Sequence, residues 1–176
     1  MKYLLVSIFS LLLLLFSCED NTDQDSKISE DELTIVTGIN FTDVNGQAVG
    51  KTGNPNINSS NSLVLYPNPA QSIIHIATID DTEYSTWIIP SNKNLKFKDT
   101  DYTNVVFDYS DEKLFADNIL YKDSITSAIS FDITTLPTGY YRSISKSING
   151  ELTIINFYKD NAKNQAEVIP FLIEAF

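Results

Sequence analysis

The chain has 176 residues, with 12 Lys and Arg against 23 Asp and Glu and a formal net charge of −11. This length allows one domain of ordinary size, and a hydrophobic content of 43% is enough for a core, which excludes disorder along the whole chain. The acidic balance argues against nucleic-acid binding, because phosphate recognition needs clustered Lys and Arg.

Residues 1–17 predict a secretory signal peptide. Lys2 is followed by a mostly apolar run over residues 4–16, which is too short to span a bilayer comfortably. The next residues, Leu15-Phe16-Ser17-Cys18, resemble the lipobox of bacterial lipoproteins. This resemblance implies cleavage after Ser17 and lipidation of Cys18, which would anchor the protein in a membrane. An uncleaved membrane anchor, or a secreted protein with an incidental Cys, is the alternative.

An acidic segment follows the lipidation site and occupies residues 18–33. Seven acidic residues and one Lys lie within residues 19–32, a composition that predicts a solvated, self-repelling tether. Glu19 and Asp20, directly after the Cys, resemble the export signal that sends lipoproteins of Bacteroidota to the outer face of the outer membrane. The resemblance implies a lipid-anchored protein at the cell surface.

Beyond the tether, the chain predicts strands and no helix. Short segments rich in Ile, Val, Tyr, Phe and Thr alternate with Asn, Asp, Gly and Pro, and no stretch keeps apolar residues at helical spacing. The predicted strands are 33–43, 62–66, 72–79, 84–89, 94–98, 104–109, 127–133, 139–148 and 151–159. Short strands at this spacing indicate an all-β fold, a β-sandwich.

Two Asn-Gly pairs predict turns of the same kind. Asn149-Gly150 separates two predicted strands, and Asn45-Gly46 follows the first strand. Both pairs readily take positive φ at two positions, which predicts type I′ hairpin turns. Residues 34–61 are assigned to an N-terminal strand and loop, in which the Gly-, Pro- and Asn-rich stretch 50–61 predicts a linker or a long loop.

Two further segments predict turns and also resemble a known family. The prolines of Tyr66-Pro67-Asn68-Pro69 remove two donors, so the chain must leave regular strand pairing there. YPNPA at 66–70, DITTLPTGYY at 132–141, ING at 148–150 and FYK at 157–159 are together similar to the C-terminal sorting domains of type IX secretion cargo in Bacteroidota. The resemblance covers residues 62–160 and implies an immunoglobulin-like sandwich of about seven strands. Use as a sorting signal is the lesser alternative, because the chain continues after the last strand and already carries a lipobox.

No catalytic, metal or cofactor site is predicted. One His and one Cys leave His75 as the only partner for a catalytic triad and exclude a Cys/His zinc site within one chain. We expect His75 to be a packed or edge-strand residue, Trp87 to be a core anchor, and the loop carboxylates to be solvated. The carboxylates that could instead form acid–base pairs or metal sites are Asp99, Asp101, Asp108, Asp111 and Glu112.

Two candidate surface sites stay open. Asp123-Ser124-Ile125 resembles the three-residue O-glycosylation site of Bacteroidota, which implies modification of Ser124. Residues 161–176 form an apolar tail. The tail is predicted either to be a last strand that covers the sandwich or to dock a partner through Phe171, Leu172, Ile173 and Phe176.

The preferred function is that of a non-enzymatic, surface-exposed lipoprotein of the outer membrane. It would act as an accessory or interaction subunit of an envelope protein complex. The alternatives are a surface module that binds glycans or peptides, a type IX sorting domain, and a hydrolase that uses loop carboxylates such as Asp108 and Asp111. The binding module would use Trp87 and the tyrosines Tyr84, Tyr102 and Tyr109. We expect no cofactor and no nucleic-acid partner.

Overall fold

The computed structural model describes residues 32–56, 62–80, 82–102, 105, 107 and 109–176. Its strands are β1 (Ile35–Val36), β2 (Gly38–Thr42), β3 (Ala48–Gly53), β4 (Leu63–Tyr66), β5 (Ile73–Thr78), β6 (Tyr84–Lys93), β7 (Leu120–Ile125), β8 (Ala128–Asp132), β9 (Gly139–Ser147) and β10 (Leu152–Lys159). Its helices are α1 (Asp111–Asp117), α2 (Gln165–Ala175) and a 3-10 helix at Leu95–Phe97. In these described ranges no helix has the length and apolar composition needed to cross a membrane.

A central sheet is built on the three long strands β6, β9 and β10. β9 pairs antiparallel with both neighbours, so that Trp87, Ile144 and Ile154 lie side by side across the sheet. β7 pairs with the first half of β6, and the short β1 runs parallel to the end of β6. The aromatic and β-branched residues of these segments favour strands, and the strand predicted over 84–89 extends to Lys93.

A second sheet of three antiparallel strands, in the order β4-β5-β8, packs on the front face of the central sheet. The core between the sheets contains apolar side chains from both, including Leu65, Ile74, Ile76 and Phe131 on one side and Ile88, Tyr141 and Phe157 on the other. Burial of these residues removes most of their apolar surface from water. Each Å² of apolar surface buried stabilises the fold by about 25 cal/mol. The predicted β-sandwich is therefore confirmed.

A tyrosine corner closes one end of the sandwich. The Tyr141 hydroxyl donates a hydrogen bond of 2.6 Å to the carbonyl oxygen of Pro137, four residues upstream. This arrangement at the start of a strand is typical of immunoglobulin-type sandwiches. The all-β, immunoglobulin-like fold class predicted from the sequence is thus the fold that the chain adopts.

The back face of the central sheet is covered as well, which the sequence analysis did not predict. At one end α1 and the segment before it bury Trp87, Ile144 and Ile154 beneath Tyr109 and Leu114. At the other end the β2–β3 hairpin and α2 form a third apolar cluster, whose buried members are Val36, Ile39, Phe41, Tyr158, Val168 and Leu172. The β2–β3 hairpin and helix α2 therefore pack against the sandwich.

The Pro67 and Pro69 segment leaves regular pairing, as predicted. β4 ends at Tyr66, and buried Asn68 forms the junction between β2 and β10. The Asn68 side chain donates to the carbonyl oxygens of Asn40 at 2.6 Å and Asn156 at 2.9 Å and accepts from the Tyr158 amide at 3.2 Å. An amide side chain can satisfy both kinds of partner at once.

Several local predictions were wrong. The linker predicted at 50–61 begins within β3, which pairs with β2, and residues 57–61 lie outside the described part. The strand predicted at 94–98 is a 3-10 helix, because the Asn94 side chain accepts from the Lys96 amide and caps it. β7 and α1 were not predicted. Three of the six residues of the strand predicted at 104–109 lie outside the described ranges.

Both Asn-Gly turns differ from the predicted type I′. In the turn after β9 only Gly150 takes positive φ, at 87°, and its amide donates to the Ser147 carbonyl at 2.9 Å. The turn after β2 has the same form, with Gly46 at 80° and its amide bonded to Asp43. Each is a type I turn followed by a glycine in the left-handed region, which is the usual three-residue hairpin loop.

Candidate functional site

The predicted export and lipidation residues, Cys18, Glu19 and Asp20, lie outside the described residues, and so does Asp108. Their proposed roles stay predictions. Among the residues that the structure describes, no group of three or more His, Cys, Asp or Glu side chains is placed to hold a metal ion.

His75 lies on the outer face of β5, the middle strand of the three-stranded sheet. Its Nδ1 is 2.7 Å from the Ser130 hydroxyl, and its ring lies 5.2 Å from the ring of Tyr66. The neighbours Ile74 and Ile76 point into the core, so the alternation predicted for this strand is correct. A hydrogen-bonded His on a sheet surface, as expected, is a packed residue.

The four aromatic residues proposed for ligand stacking are buried. Trp87 is 3% exposed, and the tyrosines Tyr84, Tyr102 and Tyr109 are between 3% and 7% exposed. Buried rings cannot stack on a ligand, so this version of the binding module is wrong, whereas the interpretation of Trp87 as a core anchor is confirmed. The aromatic rings that are exposed in this region lie over Trp87, on its solvent side.

Two half-exposed rings, Phe115 and Tyr121, cover Trp87 at one end of the central sheet. Tyr121 on β7 is the direct cross-strand partner of Trp87, with ring centroids 5.3 Å apart. Phe115 reaches over from α1, with its ring 5.4 Å from Trp87 and 4.9 Å from Tyr121. Phe115 is 49% exposed and Tyr121 is 38% exposed. Sequence reasoning missed both residues, because it predicted neither α1 nor β7.

Helix α1 holds Phe115 in place from below. The Ser110 side chain caps the helix by accepting from the Lys113 amide at 3.2 Å. Leu114, one residue before Phe115, is fully buried in the cluster that contains Trp87. Since successive helical residues point about 100° apart, burial of Leu114 turns Phe115 toward solvent.

These rings form one wall of a cleft of about 290 Å³, which we call the aromatic pocket. Its other lining residues are Glu83, Tyr84, Ser85, Asp111, Asp123, Lys146, Ser147 and Ile148. The pocket contains four of the residues singled out in the sequence: Tyr84, Trp87, Asp111 and Asp123. The other predicted surface residues lie elsewhere.

The aromatic pocket contains more negatively than positively charged side chains. Asp111 forms an ion pair of 2.6 Å with Lys146. Asp123 accepts hydrogen bonds from the Ser85 hydroxyl and from the Ser124 amide, and these two donors lower the pKa of its carboxyl group. Glu83 forms no ion pair with a described residue. Three carboxylates thus face one ammonium group.

One buried donor in this pocket lacks a partner. The indole N–H of Trp87 has no hydrogen-bond acceptor within the described part of the chain. An unpaired buried donor costs on the order of 1–3 kcal/mol, and most buried polar groups in native structures have a partner.

Ser124 borders the pocket residue Asp123 and is exposed at φ 57°. A residue other than glycine at this φ is uncommon, and here it follows the irregular pairing of β7 with β6. The exposure is compatible with modification, and the predicted O-glycosylation of Ser124 stays a prediction.

The apolar tail is a helix, not the predicted strand. Its four predicted docking residues divide between the core and the surface: Leu172 is fully buried, while Phe171 is 47% and Ile173 56% exposed. Phe176 is partly buried, with its ring 5.8 Å from Tyr140. Leu172 therefore packs in the core of this structure, and docking of a partner by the tail, through Phe171, Ile173 and Phe176, stays a prediction.

A second cleft, of about 420 Å³, lies between the Pro67 and Pro69 segment and the start of α2. It includes Val44, Ile73 and His75. It is larger than the aromatic pocket, but its lining carries no carboxylate, Lys or Arg. The aromatic pocket is the better candidate site because exposed rings, charge and an unpaired donor meet there.

No model of a known protein family and no curated protein matches this chain. It is similar in structure to a DUF3244 family protein from Bacteroides vulgatus, described as an immunoglobulin-like β-sandwich, with 10% identity, a TM-score of 0.36, and coverage of 56% of this chain and 85% of that one. It is also similar to the soluble domain of PmoD from a Methylocystis species, with 16% identity, a TM-score of 0.36, and coverage of 54% of this chain and 79% of that one. TM-scores at this level assign no function to the chain.

Proposed function

We propose that this protein is a non-enzymatic lipoprotein of the outer membrane, exposed at the cell surface, that serves as an interaction subunit of an envelope protein complex. The observation that carries the proposal is the aromatic pocket, where Phe115 and Tyr121 lie half exposed over the buried Trp87. Aromatic side chains are enriched in protein interfaces and dominate their binding energy.

The location rests on the resemblances at residues 15–20. Lipidation of Cys18 would be tested by incorporation of labelled palmitate into the wild type and into a Cys18→Ser variant. We expect label in the wild type alone, and removal of the protein from intact cells by an added protease. Label in neither protein, or complete protection from the protease, would contradict the proposed anchor or the proposed surface exposure.

The interaction would be tested by native affinity purification from gently solubilised membranes. The affinity tag belongs in the acidic segment, between residues 26 and 27, because Phe176 at the carboxyl end packs on Tyr140. Stoichiometric recovery of one outer-membrane protein with the wild type is the expected result. Recovery should fall at least about fivefold in Phe115→Ala, as for a central interface aromatic.

Phe171→Ala is the matched control, since Phe171 and Phe115 are equally half-exposed phenylalanines on helices at different ends of the molecule. Loss of the partner with Phe171→Ala alone would move the interface to the tail helix. Recovery of the wild type without any stoichiometric partner would contradict an interaction subunit. Circular dichroism of each variant would show that the fold is retained.

A further inference from the structure

We propose that the aromatic pocket binds a cationic side chain, Lys or Arg, from an extended basic segment of a partner protein. This inference rests on the proposed interaction function and specifies the chemistry of the partner. It follows from the charge of the pocket, the arrangement of its rings and the size of the cleft.

The charge of the pocket favours a cation. Lys146 is the only Lys or Arg among the lining residues, and it already pairs with Asp111 at 2.6 Å. Glu83 and Asp123 are then left without a cation among the described residues. Two unmatched carboxylates at the mouth of a partly enclosed cleft attract a positive ligand and repel an acidic one.

The rings are arranged for a cation instead of a flat ligand. The planes of the two half-exposed rings, Phe115 and Tyr121, meet at 63°. Inclined rings form a corner, whereas a sugar ring stacks on a flat platform. A cation is attracted to the face of an aromatic ring, and recognition of ammonium groups by several inclined rings is a recurrent solution.

The indole N–H of Trp87 is buried beneath Phe115 and Tyr121, so a ligand would contact these two rings and not the indole N–H. A cleft of about 290 Å³ lies at the lower end of the volumes of small-molecule sites, roughly 300–1,000 Å³. It suits one long side chain with its adjoining backbone.

Trp87 is the only tryptophan of the chain, so intrinsic fluorescence reports on this pocket directly. The full-length protein, in a detergent with uncharged head groups, would be titrated with a capped peptide of alternating Lys and Ala. The same peptide with Glu in place of Lys, and a neutral oligosaccharide, are the control ligands. We expect a saturable fluorescence change with the Lys peptide alone, and weaker binding at high salt.

Three variants locate the binding. Glu83→Gln combined with Asp123→Asn keeps the size of both side chains and one acceptor oxygen on each. It should weaken binding of the Lys peptide about tenfold, because it removes both unmatched charges. Phe115→Ala should weaken it about fivefold through loss of a ring face. Val49→Ala should leave the affinity unchanged, since Val49 is an exposed residue of β3 that does not line the pocket.

Equal affinity for the Glu peptide, an unchanged affinity in the double variant, binding of the oligosaccharide instead, or no fluorescence response would each overturn the inference. The two proposals fail separately. If Phe115→Ala loses the membrane partner while the Lys peptide does not bind, the interaction function holds and the cationic ligand is wrong. If the Lys peptide binds but no membrane partner is recovered, the cationic ligand holds and the interaction function is wrong.

Discussion

At the scale of single residues, the most unusual side chain is the fully buried Arg142. Its guanidinium donates to the Asn156 Oδ1 at 2.9 Å, to the Leu33 carbonyl at 2.9 Å and to the Asn56 carbonyl at 2.6 Å. Arg142 therefore ties Leu33, which follows the predicted acidic tether, to the central sheet. The sequence placed Arg142 on an alternating strand, but it did not indicate that both faces of that strand are covered.

We expect Arg142→Lys to lower the free energy of unfolding by about 3 kcal/mol, because one ammonium group cannot reach the acceptors that the forked guanidinium satisfies. Urea denaturation followed by circular dichroism measures the change. Lys51→Gln, at an exposed position of β3, is the control and should change stability by less than about 0.5 kcal/mol. One hydrogen bond contributes about 1 kcal/mol net to stability. A loss below about 1 kcal/mol for Arg142→Lys would therefore show that the buried network is not cooperative.

At the scale of elements, the C-terminal tail shows why short apolar runs are ambiguous. The sequence of 168–173 is almost continuously apolar, and such a run is compatible with a strand or a buried helix. A helix signal was nevertheless present just before it: Asn164 accepts from the Glu167 amide, and the Glu167 side chain accepts from the Asn164 amide, a capping box. This signal identifies helix α2, whereas only packing decides which of its side chains are buried.

Adjacent residues of α2 allow a direct test of that packing. Leu172→Ala should lower the free energy of unfolding by about 2–5 kcal/mol, as for other buried Leu residues. Ile173→Ala, 56% exposed, should change it by no more than about 0.5 kcal/mol. The midpoint of thermal or urea unfolding measures both, and similar losses at the two positions would contradict the orientation of the helix.

At the scale of the whole molecule, the three layers bury most of the tyrosines in the described part of the chain. Burial raises the pKa of six of them, Tyr84, Tyr102, Tyr109, Tyr140, Tyr141 and Tyr158. For Tyr140 burial is the larger cause and Tyr158 the smaller, and together they raise the pKa from 10.0 to about 12. The folded protein therefore holds these phenols in the neutral form more strongly than the unfolded chain does.

The consequence for stability has a definite sign. A pKa raised in the folded state contributes stability that is fully present below the unfolded value of 10.0 and is lost as the pH rises toward about 12. We expect the free energy of unfolding to fall steeply in this window, and to fall less steeply in Tyr140→Phe. Urea titrations at successive pH values, with tyrosinate absorbance as a second signal, measure it, and a flat profile would contradict the burial of the phenols.

The sequence by itself determined the all-β class, most strands of the two facing sheets, the break at Pro67 and Pro69 and the inward face of β5, because alternation, β-branched residues and turn residues act over a few neighbours. Only the tertiary structure decided the covered back face, the helical tail, the burial of Tyr84, Tyr102 and Tyr109, and the meeting of Phe115 with Tyr121. Those two rings come from elements that each have a weak local pattern, and they meet only because β7 pairs with β6 while Leu114 anchors α1 beneath. Contacts of this kind depend on the packing of distant segments, which local periodicity does not record.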